Sequence, residues 1–211
     1  MMRSVAKTVL AGLVVVYASG LTGCVPLMVG GAVMGGMVAT DRRTSGTYVE
    51  DEAIELKAAA RVREQFGERV HINITSYNRQ VLLTGEAPNA QDRQSIEQTV
   101  SQIENVRNAV NEIAVLGNST LTQRSSDALV TGRIKAKLLD ARDLQSNSFK
   151  IVTERGVAYL MGRVTEREAN RATEIITATQ GVQKLVRVLE ILTEEELARL
   201  QPPARAATAK P

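Results

Sequence analysis

Apolar positions along this chain fall into two blocks that repeat each other. Val81-Leu82-Leu83-Thr84-Gly85 lines up with Ala158-Tyr159-Leu160-Met161-Gly162 at an offset of 77. Val106, Val110, Ile113 and Val115 line up with Val182, Val186, Leu189 and Ile191 at an offset of 76. A one-residue slip inside a helix-like segment accounts for the change. A period this long exceeds the roughly 20–50 residues of solenoid repeats, so it reads as a duplicated small domain.

Each copy predicts the same elements. A helix leads, over Asp51–Phe66 and Asp127–Ala141. Two strands follow, Val70–Ser76 with Gln80–Gly85 and Phe149–Thr153 with Val157–Gly162. Their alternation sets His71, Asn73 and Thr75 against Val70, Ile72 and Ile74. Tyr77-Asn78-Arg79 and Glu154-Arg155-Gly156 are short enough to be hairpin turns. A second helix opens on Thr165-Glu166-Arg167-Glu168, the spacing of a capping box. Asn89 and Asp92 play that part in the first copy, and Ile96, Val100 and Ile103 give its helix one apolar face. A last strand runs over 107–115 or 183–192. The expected fold is α+β: two tandem αββαβ units, each a small three-stranded sheet packed on two helices. Gly117–Ser125 reads as a nine-residue linker that permits either contact or independent tumbling.

The N-terminus has a different pattern. Arg3 and Lys7 precede an uncharged, mostly apolar run from Thr8 to Leu21, and Thr22-Gly23 lead to Cys24, the single cysteine. This is the layout of an export signal. Leu21-Thr22-Gly23-Cys24 resembles the bacterial lipobox. That resemblance implies cleavage before Cys24, acylation of Cys24, and a palmitate-bearing lipoprotein. Val25 lacks the acidic side chain of an inner-membrane retention signal, which favours the outer membrane. The alternative is an uncleaved anchor with an incidental cysteine, but the run is shorter than the roughly 20 apolar residues a spanning helix needs. The expected organisation is therefore 1–23 signal peptide, 24–46 lipidated cysteine and Gly-rich tether, 47–116 first domain, 117–125 linker, 126–193 second domain and 194–211 tail. Within the tether, Gly31 and Gly35, and Ala32 and Gly36, have the small-xxx-small spacing that permits close helix approach in membranes. The segment is either a flexible apolar leash or a self-association motif. Asp41–Gly46 reads as polar linker. Glu194–Leu200 adds a helical turn, and Pro202–Pro211 reads as disordered.

Loss of Arg3 and Lys7 brings the formal charge of +3 down to +1, so the basic pI is no argument for nucleic acid. With the only cysteine lipidated, no disulfide forms. The chain has no tryptophan and two phenylalanines, Phe66 and Phe149, so the core is aliphatic. The repeat, with its hydrophobic-x-Gly after the second strand and its V-x3-V-x2-I-x-V end, resembles the BON domain. Lipobox, Gly-rich tether and two copies together resemble the dual-BON-domain outer-membrane lipoproteins. That resemblance implies phospholipid binding and a role in outer-membrane integrity, with the protein facing the periplasm.

Catalytic chemistry is not expected. His71 is the only histidine and reads as a solvent-facing strand residue. One histidine and a lipidated cysteine make no metal cluster, and no phosphate loop opens a helix. Glu166 and Glu168 read as cap and dipole partners. No cofactor and no metal are expected. Charge distinguishes the two copies instead. Residues 47–116 hold 7 Lys and Arg against 11 Asp and Glu; residues 126–193 hold 11 against 8. In the leading helix of the second copy, Val130, Ile134 and Leu138 should face the core. Leu129, Arg133, Lys135 and Lys137 should stay outside, in the pattern of an interfacial helix. These four are the candidate phospholipid contacts, for phosphatidylglycerol or cardiolipin, and the family resemblance implies the same helix. Leu129 stands where that resemblance puts a tryptophan, and leucine inserts without an indole's interfacial anchoring. The matching helix of the first copy carries Glu52, Glu55 and Glu64 and should be repelled by such a surface. The first copy is left free for an envelope protein partner. A second reading makes both copies a periplasmic protein-interaction scaffold with incidental lipid contact.

Overall fold

The computed structural model describes residues 41–200. The signal segment, Cys24, the small-xxx-small tether and Pro202–Pro211 lie outside the described residues. Among the described residues the α-helices and β-strands follow in this order: α1 (Ser45–Phe66), β1 (His71–Tyr77), β2 (Gln80–Ala87), α2 (Ala90–Ser101), β3 (Asn108–Asn111), β4 (Ala114–Val115), α3 (Leu121–Asp140), β5 (Phe149–Glu154), β6 (Val157–Thr165), α4 (Glu166–Thr177), β7 (Lys184–Leu192) and α5 (Glu194–Leu200). In each module the first two strands are antiparallel and the last strand runs parallel to the central one, in the orders β1-β2-β3 and β5-β6-β7. This is the α+β architecture expected from the repeat.

Each module has its own aliphatic core between helices and sheet. Ile54, Ala58 and Val62 of α1 pack with Val81, Leu83, Ile96 and Val100. Val130, Ile134 and Leu138 occupy the matching positions of α3, against Ala158, Leu160, Ala172 and Ile176. A third cluster joins the modules. Tyr77, Leu82, Tyr159, Met161 and Val188 are buried together, with Val110, Val157 and Val186 against them. Leu82 alternates with Val81 and Leu83, so it belongs to the opposite face of the first sheet. The two sheets therefore pack face to face, with helices on the outside of each. Polar contacts surround this seam. Lys150 bonds Glu55 at 2.7 Å, Asn78 bonds Glu190 at 2.7 Å, and the Tyr77 hydroxyl donates to Ser148 O at 3.2 Å.

Both leading helices begin six residues earlier than their sequence pattern suggests, at Thr caps. Thr44 accepts from the Thr47 amide and Thr120 from the Gln123 amide. Asp51 and Asp127 sit nearly two turns beyond those caps and do a different job. Asp51 accepts from Asn78 N at 2.8 Å, Arg79 N at 2.7 Å and the Ser76 hydroxyl at 2.6 Å. Asp127 accepts from Arg155 N at 2.8 Å and Gly156 N at 2.9 Å. Each aspartate holds its module's hairpin turn, whose central residues are left-handed (Asn78 and Arg79; Arg155 and Gly156), as a type I′ turn requires. The early start of α3 also shortens the linker. Ser119 is buried and its amide bonds Glu86 at 3.1 Å.

The first module's last strand is broken where the second's is continuous. Asn111 accepts from Ile113 N at 3.1 Å and donates to Arg93 O at 3.1 Å and Glu97 at 2.9 Å, which draws the chain off the ladder between β3 and β4.

Asp41–Gly46 is not a free linker. Arg42 is buried and makes two 2.7 Å bonds to Glu168, plus one of 2.8 Å to Arg163 O. Arg43 bonds Asp51 at 2.8 Å and stacks over the Tyr77 ring at 4.3 Å. Neighbouring arginines thus grip different modules. Burial alone would raise the Glu168 pKa, but Arg42 and the Thr165 amide lower it further, leaving the carboxyl below its usual range.

Removing Arg42 strands a buried carboxylate, so Arg42→Ala should cost about 3 kcal/mol in a urea titration; a linker arginine would cost under about 0.5 kcal/mol. Folding releases the Glu168 proton, so its contribution is full above the ordinary value of 4.5 and is lost as pH falls through the depressed value. Urea midpoints of the wild type should fall more steeply than those of Arg42→Ala as the pH drops below 4.5. The repeated glycines respond to sterics. A Cβ on Gly85 would lie 2.0 Å from His71 O at a φ of +106°, and one on Gly162 would lie 2.5 Å from Ser148 O. Either change to Ala should cost about 2–3 kcal/mol. Gly132 has nothing within 4 Å of the added atom, and Gly132→Ala should stabilise α3 by about 0.5–1 kcal/mol.

Candidate functional site

Helix α3 buries Asp127, Val130, Ile134 and Leu138 and turns a strongly apolar face outward. Leu129 is 63% exposed and Leu139 72%. At about 100° per residue these two leucines lie about 80° apart around the helix, with Gly132 and Ala136 between them. Leu121, also exposed, is five whole turns before Leu139 and shares its direction. Sequence reading found Leu129 and missed Leu139 and Leu121. Their signal was an apolar residue just outside the i, i+4 core row.

The three candidate cations are exposed but do not converge on one point. Arg133 and Lys137 are one turn apart on the flank facing α4. There Lys137 Nζ donates to Ala178 O at 3.1 Å and Arg133 to Gln180 O at 3.5 Å. Ala178 caps α4, so both cations also serve that helix's negative end. Lys135 is about 160° from Arg133 around the helix, on the other flank, and makes no ion pair among the described residues. The result is an apolar ridge with positive charge on both sides. A groove of about 550 Å³ beside it includes Lys137 and Arg171. Arg171 is already bridged to Asp143 and Glu174 at 3.1 Å each, so the ridge rather than the groove offers free charge.

The first module's helix differs in more than sign. Glu55 is not a free surface acid: it bonds Lys150 and the Ser76 amide, both at 2.7 Å, and so belongs to the seam between modules.

His71 is the clearest correction. Its side chain is 17% exposed, and Nδ1 lies 2.9 Å from Glu86 Oε2. The face expected to meet solvent is the one that meets the second module. Glu86 is fully buried. It also accepts from Ser119 N at 3.1 Å and Arg155 Nη1 at 3.2 Å. Burial would raise its pKa, yet the Ser119 amide, His71 and Arg155 together bring it below the usual range. Glu154, from the second module, hydrogen-bonds Asn73 of the first. Burial, with Glu86 and Asp127 nearby, holds its pKa above the usual range despite Asn73 and His71. No metal cluster was expected from sequence, yet His71, Glu86 and Glu154 bring ligand atoms within 4.8 Å of one another. No periodicity signals this, because the third residue comes from the other module.

Cys24, the expected lipidation site, lies outside the described residues. Comparison with known proteins agrees with the duplication. The family model described as BON domain matches residues 51–117 and again 126–193. Outer membrane lipoprotein DolP of Haemophilus influenzae is 33% identical over 174 residues, covering 82% of this chain and 90% of that protein. The 21 kDa hemolysin of Actinobacillus pleuropneumoniae is 32% identical over 151 residues, covering 71% of this chain and 78% of its own. Among solved structures, CdsD, a structural protein of the type III secretion system of Chlamydia trachomatis, is 12% identical with a TM-score of 0.29, covering 70% of this chain and 97% of its own.

Proposed function

The chain belongs to the BON-domain family, and on that premise we propose that it is a periplasm-facing outer-membrane lipoprotein, anchored through Cys24, whose second module docks on anionic phospholipid in support of cell-envelope integrity. The relatives named above are an outer membrane lipoprotein and a hemolysin. The observation that carries the reading is the outward face of α3. Leu129, Leu139 and Leu121 would enter the acyl boundary while Arg133, Lys135 and Lys137 reach phosphates on either flank.

Three cations near an anionic leaflet contribute about 3 kcal/mol, roughly two decades of partitioning. Each leucine that leaves water adds up to about 2 kcal/mol. Such a contact is weak from free solution and effective for a domain already held at the surface. The chain's entry point suits this arrangement. Arg42 Nη2 touches Gln145 at 3.4 Å, five residues beyond the end of α3. Segment 24–41 therefore joins the folded body near the end of the helix that exposes Leu139. That segment can reach about 60 Å when extended.

A protein-interaction scaffold is the second reading. Val49 and Leu56, seven residues apart on α1, are 66% and 73% exposed, and they offer the acidic first module an apolar contact of its own.

Residues 41–200 without the lipid should co-sediment with vesicles containing phosphatidylglycerol or cardiolipin and not with neutral phosphatidylcholine. Binding should fade at about 0.5 M salt, where the Debye length is only a few ångströms. Leu129→Glu and Leu139→Glu should each weaken it at least about tenfold, with the urea midpoint unchanged because both side chains are exposed. Equal binding by wild type and variants would remove α3 from the mechanism. Binding that ignores salt and headgroup charge would favour the scaffold.

A further inference from the structure

We propose that His71, Glu86 and Glu154 form a divalent metal site of the zinc class that bridges the two modules. The site is independent of the α3 ridge. His71 and Glu86 face each other across β1 and β2, paired in register, and Glu154 ends β5 of the other module. One imidazole nitrogen and two carboxylate oxygens lie within 4.8 Å of one another. Movement of about 1 Å closes such a set to the ~3.4 Å edge of a tetrahedral shell with bonds of about 2.0–2.2 Å.

The remaining contacts support ligation. Arg155 holds Glu86 through Oε1, and Oε2 lies 2.9 Å from His71 Nδ1, so an ion bound between them would replace that contact. The Ser119 amide fixes the same carboxylate. Glu154 uses Oε1 for Asn73, and its Oε2 takes no hydrogen bond among the described residues. Glu154 is also 8% exposed, with Glu86 and Asp127 as like-charged neighbours. Only Asn73 and His71 offset a buried carboxylate so placed, and a cation would supply a fuller counter-charge.

Ligand chemistry selects the ion. An imidazole with carboxylates and no thiolate suits Zn²⁺ over Cu(I), and the imidazole disfavours Mg²⁺ and Ca²⁺. Three protein ligands leave a fourth position open. His71 and Glu154 line a cleft of about 470 Å³ with Asn73, Arg124 and Asp127, which gives water or a small anion access to that position. Because the ligands come from both modules, the ion would act as a staple across their seam.

The test uses residues 41–200 made without a histidine tag, so that His71 is the sole imidazole. Zn²⁺ should bind at one equivalent by calorimetry and raise the melting temperature, whereas Mg²⁺ should do neither. The His71 ring signals in NMR should shift and saturate at that equivalent. Glu154→Gln keeps a hydrogen bond to Asn73 available, and His71→Gln removes the imidazole. Each should weaken Zn²⁺ binding more than the 10–100-fold that loss of an outer-shell partner costs, with far-UV circular dichroism confirming the fold. Unmoved His71 signals in the wild type, or equal Zn²⁺ affinity in a folded Glu154→Gln protein, would overturn the site.

Discussion

A three-stranded sheet that packs two helices on one face leaves its other face in need of a cover. Each module here covers the other. The seam of Tyr77, Leu82, Tyr159, Met161 and Val188 turns two small domains into one layered body, helices outside and sheets within. A module of this size buries too little surface to be comfortably stable alone, so the shared cluster adds to the stability of both. It also decides what is left outside. With both sheets occupied, the helices provide much of the exposed surface, and α3 presents its leucine ridge there.

The seam puts charged groups out of water, and the chain answers with specific partners. Asp51 and Asp127 are bonded by hairpin-turn amides, Glu168 by Arg42, and Glu86 by three donors. Buried ion pairs of this kind add little net stability because desolvation offsets their attraction. They do penalise misalignment, since a slipped seam would leave each carboxylate stranded. Glu154 is the member whose compensation is thin.

The repeat was the most legible feature of the sequence. Its two offsets, the capping box at Thr165 and the apolar rows of α1 and α3 follow from local periodicity, and the elements formed in that order, with both leading helices starting six residues earlier and the first module's last strand broken. What local pattern cannot carry is a contact between segments far apart. His71 looked like a surface residue because the period-two rule names a face without saying what covers it, and Glu55 because a charged helix position outside the core row usually meets water. Asp51 looked like a helix start because an acidic residue ahead of an apolar row usually is one. Arg42 looked like linker because its partner is 126 residues away. On α3 the core row follows from its i, i+4 spacing, whereas Leu121 and Leu139 lie just outside that row and carry no periodic signal of their own.

The pair of arginines at positions 42 and 43 has a mechanical consequence. Any pull on the chain ahead of Asp41 meets the folded body first at these two side chains, and it divides between them. Arg42 passes load to β6 and α4 through Arg163 O and Glu168, and Arg43 passes it to α1 through Asp51. A force applied to one point therefore acts on both modules at once and does not peel one from the other. Adjacent guanidinium groups gripping opposite partners behave as a yoke, keeping the body whole under a pull from the chain that precedes it.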